Sequence, residues 1–133
     1  MNIGVFVADD NAPLREKLLQ MLKLKFEVVG SAADGKTALE LIMLTKPDVA
    51  VLDISMPFMT GIEVTAELKK NGLDTKVVIL TIHADQDYVC FALEAGASGY
   101  VLKSDMATDL VKAVLAVSEG KVYISQSCAH YQS

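Results

Sequence analysis

Tryptophan is absent from this chain, and cysteine occurs only twice, at Cys90 and Cys128, in no CxxC or Cys/His spacing. Neither a disulfide framework nor a zinc site is expected, and this cysteine usage fits a reducing, cytoplasmic setting. The N-terminal stretch MNIGVFVADD lacks the basic residues and apolar core of a secretion signal. No apolar run approaches the roughly 18 residues that cross a bilayer, so no membrane association is expected. Positive charge is also short: 12 Lys and Arg against 17 Asp and Glu give a formal net charge of -5. Nucleic acid and anionic membranes are gripped by basic surfaces, so any DNA contact must come from a domain outside this chain. Repeats and low-complexity tracts are missing as well. What is present is 52% apolar residues over 133 positions, enough for one buried core and too little for two domains.

Five apolar bursts recur at similar intervals: IGVFVA (3–8), EVVGSA (27–32), DVAVLD (48–53), KVVILT (76–81) and GYVLK (99–103). They are short and rich in Val and Ile, as strands are. Between them lie segments of helical spacing, such as Leu14, Leu18, Met21 and Leu22, or Ala38, Leu41, Ile42 and Thr45. Thr60 with Glu63 makes a capping box for a third helix, and Asn71-Gly72, Ala95-Gly96 and Glu119-Gly120 read as helix ends. Strands one, three and four are apolar at almost every position, which a parallel sheet covered by helices on both faces requires. The expectation is an α/β protein: a doubly wound parallel sheet of five strands in a three-layer sandwich. The last residues, VYISQSCAHYQS, turn polar after Ile124 without a helical period and are expected to be a linker or tail.

Right-handed crossovers bring the C-terminal ends of all five strands to one edge, where such sheets bind ligands. There the first strand ends in Asp9-Asp10, the third in Asp53, the fourth in Thr81 and the fifth in Lys103. Taken singly, an aspartate at a strand-to-helix turn is usually a helix cap, Thr81 a last strand residue and Lys103 a solvated lysine. Jointly they need more, because three clustered carboxylates repel one another unless a cation offsets them. Magnesium suits such a site, since it takes one or two carboxylates, waters and a phosphoryl oxygen. Asp53 is then the candidate nucleophile for a phosphoryl group, with Lys103 and Thr81 binding its oxygens. An aspartyl-nucleophile phosphatase needs a general acid two residues on, where this chain has Ser55. A phosphate-cradling nucleotide binder needs a Ser/Thr/Gly-rich first loop, where it has DDNAPL.

These residues, with "LDISMPFMTG" around Asp53 and "GYVLK" around Tyr100 and Lys103, resemble the receiver domain of bacterial two-component response regulators over residues 2 to about 120. "GYVLK" with the later "EGKVYIS" is similar to the NarL/FixJ (LuxR-type) branch. The resemblance implies a CheY-like, flavodoxin-like fold of strand order 2-1-3-4-5 flanked by five helices. It implies residues 1–120 as the receiver and 121–133 as a linker toward a helix-turn-helix DNA-binding domain absent from this chain. A sensor histidine kinase would phosphorylate Asp53. Mg²⁺, or Mn²⁺ as a substitute, would be held by Asp10, Asp53 and the Ser55 backbone carbonyl, with Asp9 acting through water. Thr81 would be the switch hydroxyl and Tyr100 the aromatic that rotates into the space it vacates, with homodimerisation on phosphorylation. Such a domain is a signalling module and not an enzyme, beyond its own phosphoryl transfer and autodephosphorylation. A stand-alone receiver acting through protein binding is the alternative reading. Ser104 stands where many relatives carry a cis proline, and Ser55, Ile82 and His83 are expected to tune the lifetime of the phosphoryl group. The stripes Val89, Ala92, Leu93 and Leu110, Val111, Val114, Val117 read as core, which leaves the dimer surface unassigned.

Overall fold

The structure, a computed structural model, describes residues 2–128. Strands and helices alternate: β1 (Gly4–Ala8), α1 (Ala12–Lys23), β2 (Glu27–Ala32), α2 (Gly35–Thr45), β3 (Val49–Leu52), α3 (Gly61–Lys70), β4 (Lys76–Thr81), α4 (Gln86–Ala95), β5 (Gly99–Leu102), α5 (Met106–Ser118) and β6 (Tyr123–Ile124). One turn of 3-10 helix, Lys103–Asp105, joins β5 to α5. All strand pairs are parallel and the order is β2-β1-β3-β4-β5-β6. The expected order of the first five is present, and β6 is an addition at the β5 edge.

The apolar strands are central because they are covered on both faces. Val5, Val7, Val49, Val51, Val78, Leu80 and Val101 face α1 and α5, while Phe6, Ala8, Ala50, Leu52, Ile79 and Tyr100 face α2, α3 and α4. Two cores follow, one per face, and each side chain inserted between sheet and helix contributes roughly 1.5–3 kcal/mol when fully buried. Val89 and Ala92 of α4 and Leu110, Val114 and Val117 of α5 are buried in these cores, as their spacing predicts.

Local signals set the helix ends. The α3 capping box is complete: Thr60 Oγ1 accepts from Glu63 N–H and the Glu63 carboxylate accepts from Thr60 N–H. Gly72 and Gly96 take φ of +73° and +114°, left-handed conformations that stop α3 and α4.

As far as Cys128 the polar ending does not leave the fold; residues 129–133 of the expected linker or tail lie outside the described residues. Tyr123 and Ile124 pair with Gly99 and Tyr100, and Ser125 and Cys128 are fully buried, so the packed chain extends past residue 120, where a linker was expected to begin. Pattern reading missed a strand of two residues because it is too short to show a period. The β5–α5–β6 connection runs over the face that carries α1 and steps away from β1. It is therefore opposite in hand to the β1–α1–β2 and β2–α2–β3 units.

Candidate functional site

The chain steps from β1 outward to β2, then returns across β1 to β3, so the strand order reverses between β1 and β3. A crevice opens at the C-terminal edge of that reversal. Asp9 and Asp10 leave β1 there and Asp53 leaves β3, and the Asp53 N–H donates to the Ala8 carbonyl at 3.0 Å. One carboxylate oxygen from each of the three aspartates lies within 4.8 Å of the others.

Capping does not account for them. Asn11 caps α1, its side-chain oxygen accepting from Leu14 N–H at 3.1 Å, and Thr60 caps α3. Asp9 is 1% exposed and Asp53 6%, and charged groups so deeply buried need partners. Asp9 Oδ1 accepts from Asn11 N–H at 2.9 Å. Its Oδ2 is buried and lies 3.1 Å from the Lys103 ammonium, with which it forms an ion pair. That ammonium also lies 3.2 Å from Asp53 Oδ2 and so bridges the two buried acids. Three clustered carboxylates with a single ammonium between two of them are a donor set that fits a hard divalent cation.

The electrostatics follow from this crowding. Burial pushes the Asp53 carboxyl above the ordinary aspartate range, and the Asp9 charge pushes the same way against Lys103 and the Ser55 N–H. For Lys103, burial alone would lower the ammonium, but Asp53 and Asp9 outweigh it and hold it above the usual lysine value.

Thr81, buried at the end of β4, pairs with Leu102, the residue before Lys103. Its Oγ1 accepts from His83 N–H at 3.2 Å, while the Tyr100 hydroxyl donates to the His83 carbonyl at 2.6 Å. The two expected switch residues therefore meet on one residue's backbone. Tyr100 is fully buried. Burial, with Cys128, Asp85 and Tyr88 nearby, pushes its phenol well above the usual tyrosine range and keeps it a neutral donor.

Of the three tuning candidates, Ile82 and Ser55 are exposed, Ile82 at 75%, and the His83 ring stacks on Tyr88 at 4.2 Å. The Lys103–Ser104 peptide is trans.

Several supporting residues were missed by sequence reasoning. The Arg15 guanidinium donates to the Asp9 carbonyl at 2.7 Å and pins the β1–α1 turn. Gly61 lies so close to Asp53 that a Cβ there would overlap the Asp53 carbonyl oxygen, with the carbonyl carbon 2.9 Å away. Phe58 takes a φ of +72° while 82% exposed. The Gly in "LDISMPFMTG" was the available signal for Gly61, but as the first residue of α3 it reads simply as a helix start.

A doubly wound sheet with three clustered acids and a bridging lysine at its reversal is an α/β domain with a site that could hold a divalent cation. The profile described as "Response regulator receiver domain" matches residues 5–115. The transcriptional regulatory protein DegU of Brevibacillus brevis is 40% identical over 130 residues, which cover 96% of this chain and 55% of that protein. The signal receiver domain of the putative response regulator NarL from Mycobacterium tuberculosis superposes with a TM-score of 0.87 at 41% identity, covering 90% of this chain and 98% of that one. A LuxR-family two-component response regulator from Aurantimonas sp. SI85-9A1 gives a TM-score of 0.93 at 32% identity, covering 98% and 95%. The chain belongs to the response regulator receiver domain family, and its similarity is to the LuxR-type branch. It spans little more than half the length of the curated relative DegU. Among the described residues, no helix is long and apolar enough to cross a membrane.

Proposed function

We propose that Asp53 accepts a phosphoryl group from a phosphohistidine of a sensor histidine kinase, and that Thr81, His83 and Tyr100 convert the modification into a change of surface. A carboxylate oxygen of Asp53 forms the new P–O bond as the P–N bond to the histidine breaks, leaving an acyl phosphate on Asp53. The observation that carries the reading is the division of labour at the rim: Asn11 and Thr60 cap the helices, while Asp9, Asp10 and Asp53 bring three carboxylates together with the Lys103 ammonium bridging Asp9 and Asp53.

Asp10, Asp53 and the Ser55 carbonyl would hold Mg²⁺ or Mn²⁺, with Asp9 behind them, and the cation would neutralise charge on the phosphoryl oxygens. Lys103 keeps its proton under the pull of two carboxylates and supplies a fixed positive charge to the acyl phosphate. Thr81 Oγ1, drawn toward the new oxygens, gives up the His83 N–H that it now accepts. That residue's carbonyl also receives the Tyr100 hydroxyl, so a shift at Thr81 reaches Tyr100 through the backbone of a single residue. Ser55, Ile82 and His83 set the lifetime of the acyl phosphate by governing how water reaches it. The domain acts in the cytoplasm as a signalling module, without turnover of an external substrate.

The printed names of the relatives are those of transcriptional regulators, and the chain spans 55% of DegU. This supports an output in transcription through a DNA-binding domain outside this chain, with homodimerisation on phosphorylation. The test is intact mass after incubation with acetyl phosphate, with and without Mg²⁺. A single Mg²⁺-dependent phosphoryl adduct on the wild type, absent from Asp53→Asn, is expected. The same adduct on the variant would refute the assignment of Asp53.

A further inference from the structure

The family match ends at residue 115, yet residues beyond it are built into the switch. After β6 pairs with Gly99 and Tyr100, Ser125 N–H donates to the Tyr100 carbonyl at 2.8 Å. The Ser125 hydroxyl accepts from Leu102 N–H at 3.0 Å and faces Asp109 Oδ2 at 3.4 Å. One fully buried residue thus completes the edge of β5 on both sides of Val101, with its backbone N–H at Tyr100 and its hydroxyl at Leu102, directly before Lys103.

Cys128, also at 0% exposure, shares the buried cluster of Tyr100 and Val89. Its N–H donates to the Ser125 carbonyl at 2.8 Å, and its thiol lies 3.8 Å from the Ala84 carbonyl. Ala84 adjoins His83, whose carbonyl takes the Tyr100 hydroxyl. Burial, with Asp105 nearby, pushes the Cys128 thiol up, so it acts there as a small neutral hydrophobe. The outer side is tied down by Ser127 Oγ, which donates to Asp105 Oδ2 at 3.1 Å.

We infer that Tyr123–Cys128 is a strap in which Ser125 and Cys128 are positioning residues: they hold Tyr100 inward and the turn at 82–85 in place, so strap docking and the state of the Asp53 rim are one equilibrium. The physical ground is mutual dependence. If Tyr100 swings out, Cys128 loses an apolar neighbour and Tyr100 releases the His83 carbonyl. If the strap leaves, the Leu102 N–H loses its buried acceptor and Tyr100 loses its cover. Linkage then requires reciprocity: the factor by which a change at the rim alters strap docking is the factor by which docking alters that change at the rim. A pull on, or release of, the strap would be read at Tyr100, and the reverse. The link to phosphorylation rests on the function proposed above; the positioning role does not.

Amide hydrogen exchange with mass readout on the whole chain separates the two. In Ser125→Ala and Cys128→Ala, amides of residues 82–85 and 100–102 are expected to exchange several-fold faster, while α1 amides around Leu18 and Leu22 keep wild-type rates. Unchanged exchange at 82–85 and 100–102, or an equal acceleration everywhere, overturns the positioning role. In the wild type, with the adduct verified by intact mass, acetyl phosphate and Mg²⁺ are expected to change exchange at residues 124–128 several-fold. Unchanged strap exchange on adduct-bearing protein overturns the coupling while leaving Asp53 as acceptor. If no adduct forms, the proposed function fails, and the coupling to phosphorylation falls with it. The unphosphorylated comparison alone then decides the strap.

Discussion

Lys103→Met removes the ammonium that bridges Asp9 and Asp53 while keeping an apolar stem of similar length. Contacts of 3.1 and 3.2 Å correspond to about 5 kcal/mol each of gross attraction at an effective dielectric of about 20. Most of that is offset by the desolvation of the three groups, and the Lys103 side chain is 18% exposed. What is left after removal is two buried carboxylates with no counter-charge. Stripping one partner from a fully buried pair costs about 3–5 kcal/mol, and solvent access at this rim reduces the expectation to about 1–3 kcal/mol. For a chain of this size that is a fall in Tm of about 3–12 °C.

The pH dependence carries the sharper test. The Asp53 carboxyl already sits above its ordinary range, and loss of Lys103 raises it further. A carboxyl raised in the folded state binds its proton more tightly there than in the unfolded chain, so stability is lost as pH rises through the folded value and regained as pH falls. The variant's deficit should therefore shrink as the buffer moves from about pH 7 to about pH 5. At neutral pH, Mg²⁺ should restore about 1.4 kcal/mol at ten times its Kd. Thermal unfolding across pH, with and without Mg²⁺, measures all three. A variant that melts with the wild type at every pH, or whose deficit widens on acidification, would refute the picture of Lys103 as counter-charge to two buried acids.

Asp53→Asn removes a carboxylate whose ionised form is disfavoured in the fold, so its Tm should exceed that of the wild type at neutral pH and the gap should close in acid; a lower Tm would contradict this. Gly61→Ala gains about 1 kcal/mol of helix propensity but pushes against the Asp53 carbonyl, for which about 1–3 kcal/mol of overpacking is expected. Its main effect should be on chemistry, a roughly ten- to hundred-fold slower adduct formation from a displaced Asp53, and a wild-type rate by timed intact mass would sink the argument. Tyr100→Phe leaves the His83 carbonyl without its buried donor and should lower stability by about 1–2 kcal/mol in denaturant melts; no change would mean that the 2.6 Å hydrogen bond is replaced by water.

The alternation of Val-rich bursts with helical spacing, the capping box at Thr60 and Glu63, and the strand-end residues Asp9, Asp10, Asp53, Thr81 and Lys103 were all legible in the sequence. Each rests on local chemistry: burial on two faces demands apolar strands, a cap needs an oxygen at a fixed offset, and a parallel sheet brings its strand ends to one edge. The contacts that make those residues a site were not legible, because they join positions far apart in the chain. Only the tertiary structure shows Lys103 bridging Asp9 and Asp53, Asn11 in place of either aspartate as the cap of α1, and Thr81 and Tyr100 meeting on the His83 backbone. The close approach of Gly61 to Asp53 and the Arg15 bond to Asp9 belong to the same class. The C-terminal segment shows the limit most clearly. SQSC reads as polar and aperiodic, yet Ser125 and Cys128 are fully buried. Their fate was decided by the open edge of β5, whose Leu102 N–H needed an acceptor, and by the space above Tyr100 that a small apolar group could fill. Periodicity reports which face of an element is covered; it does not report which distant segment arrives to cover it.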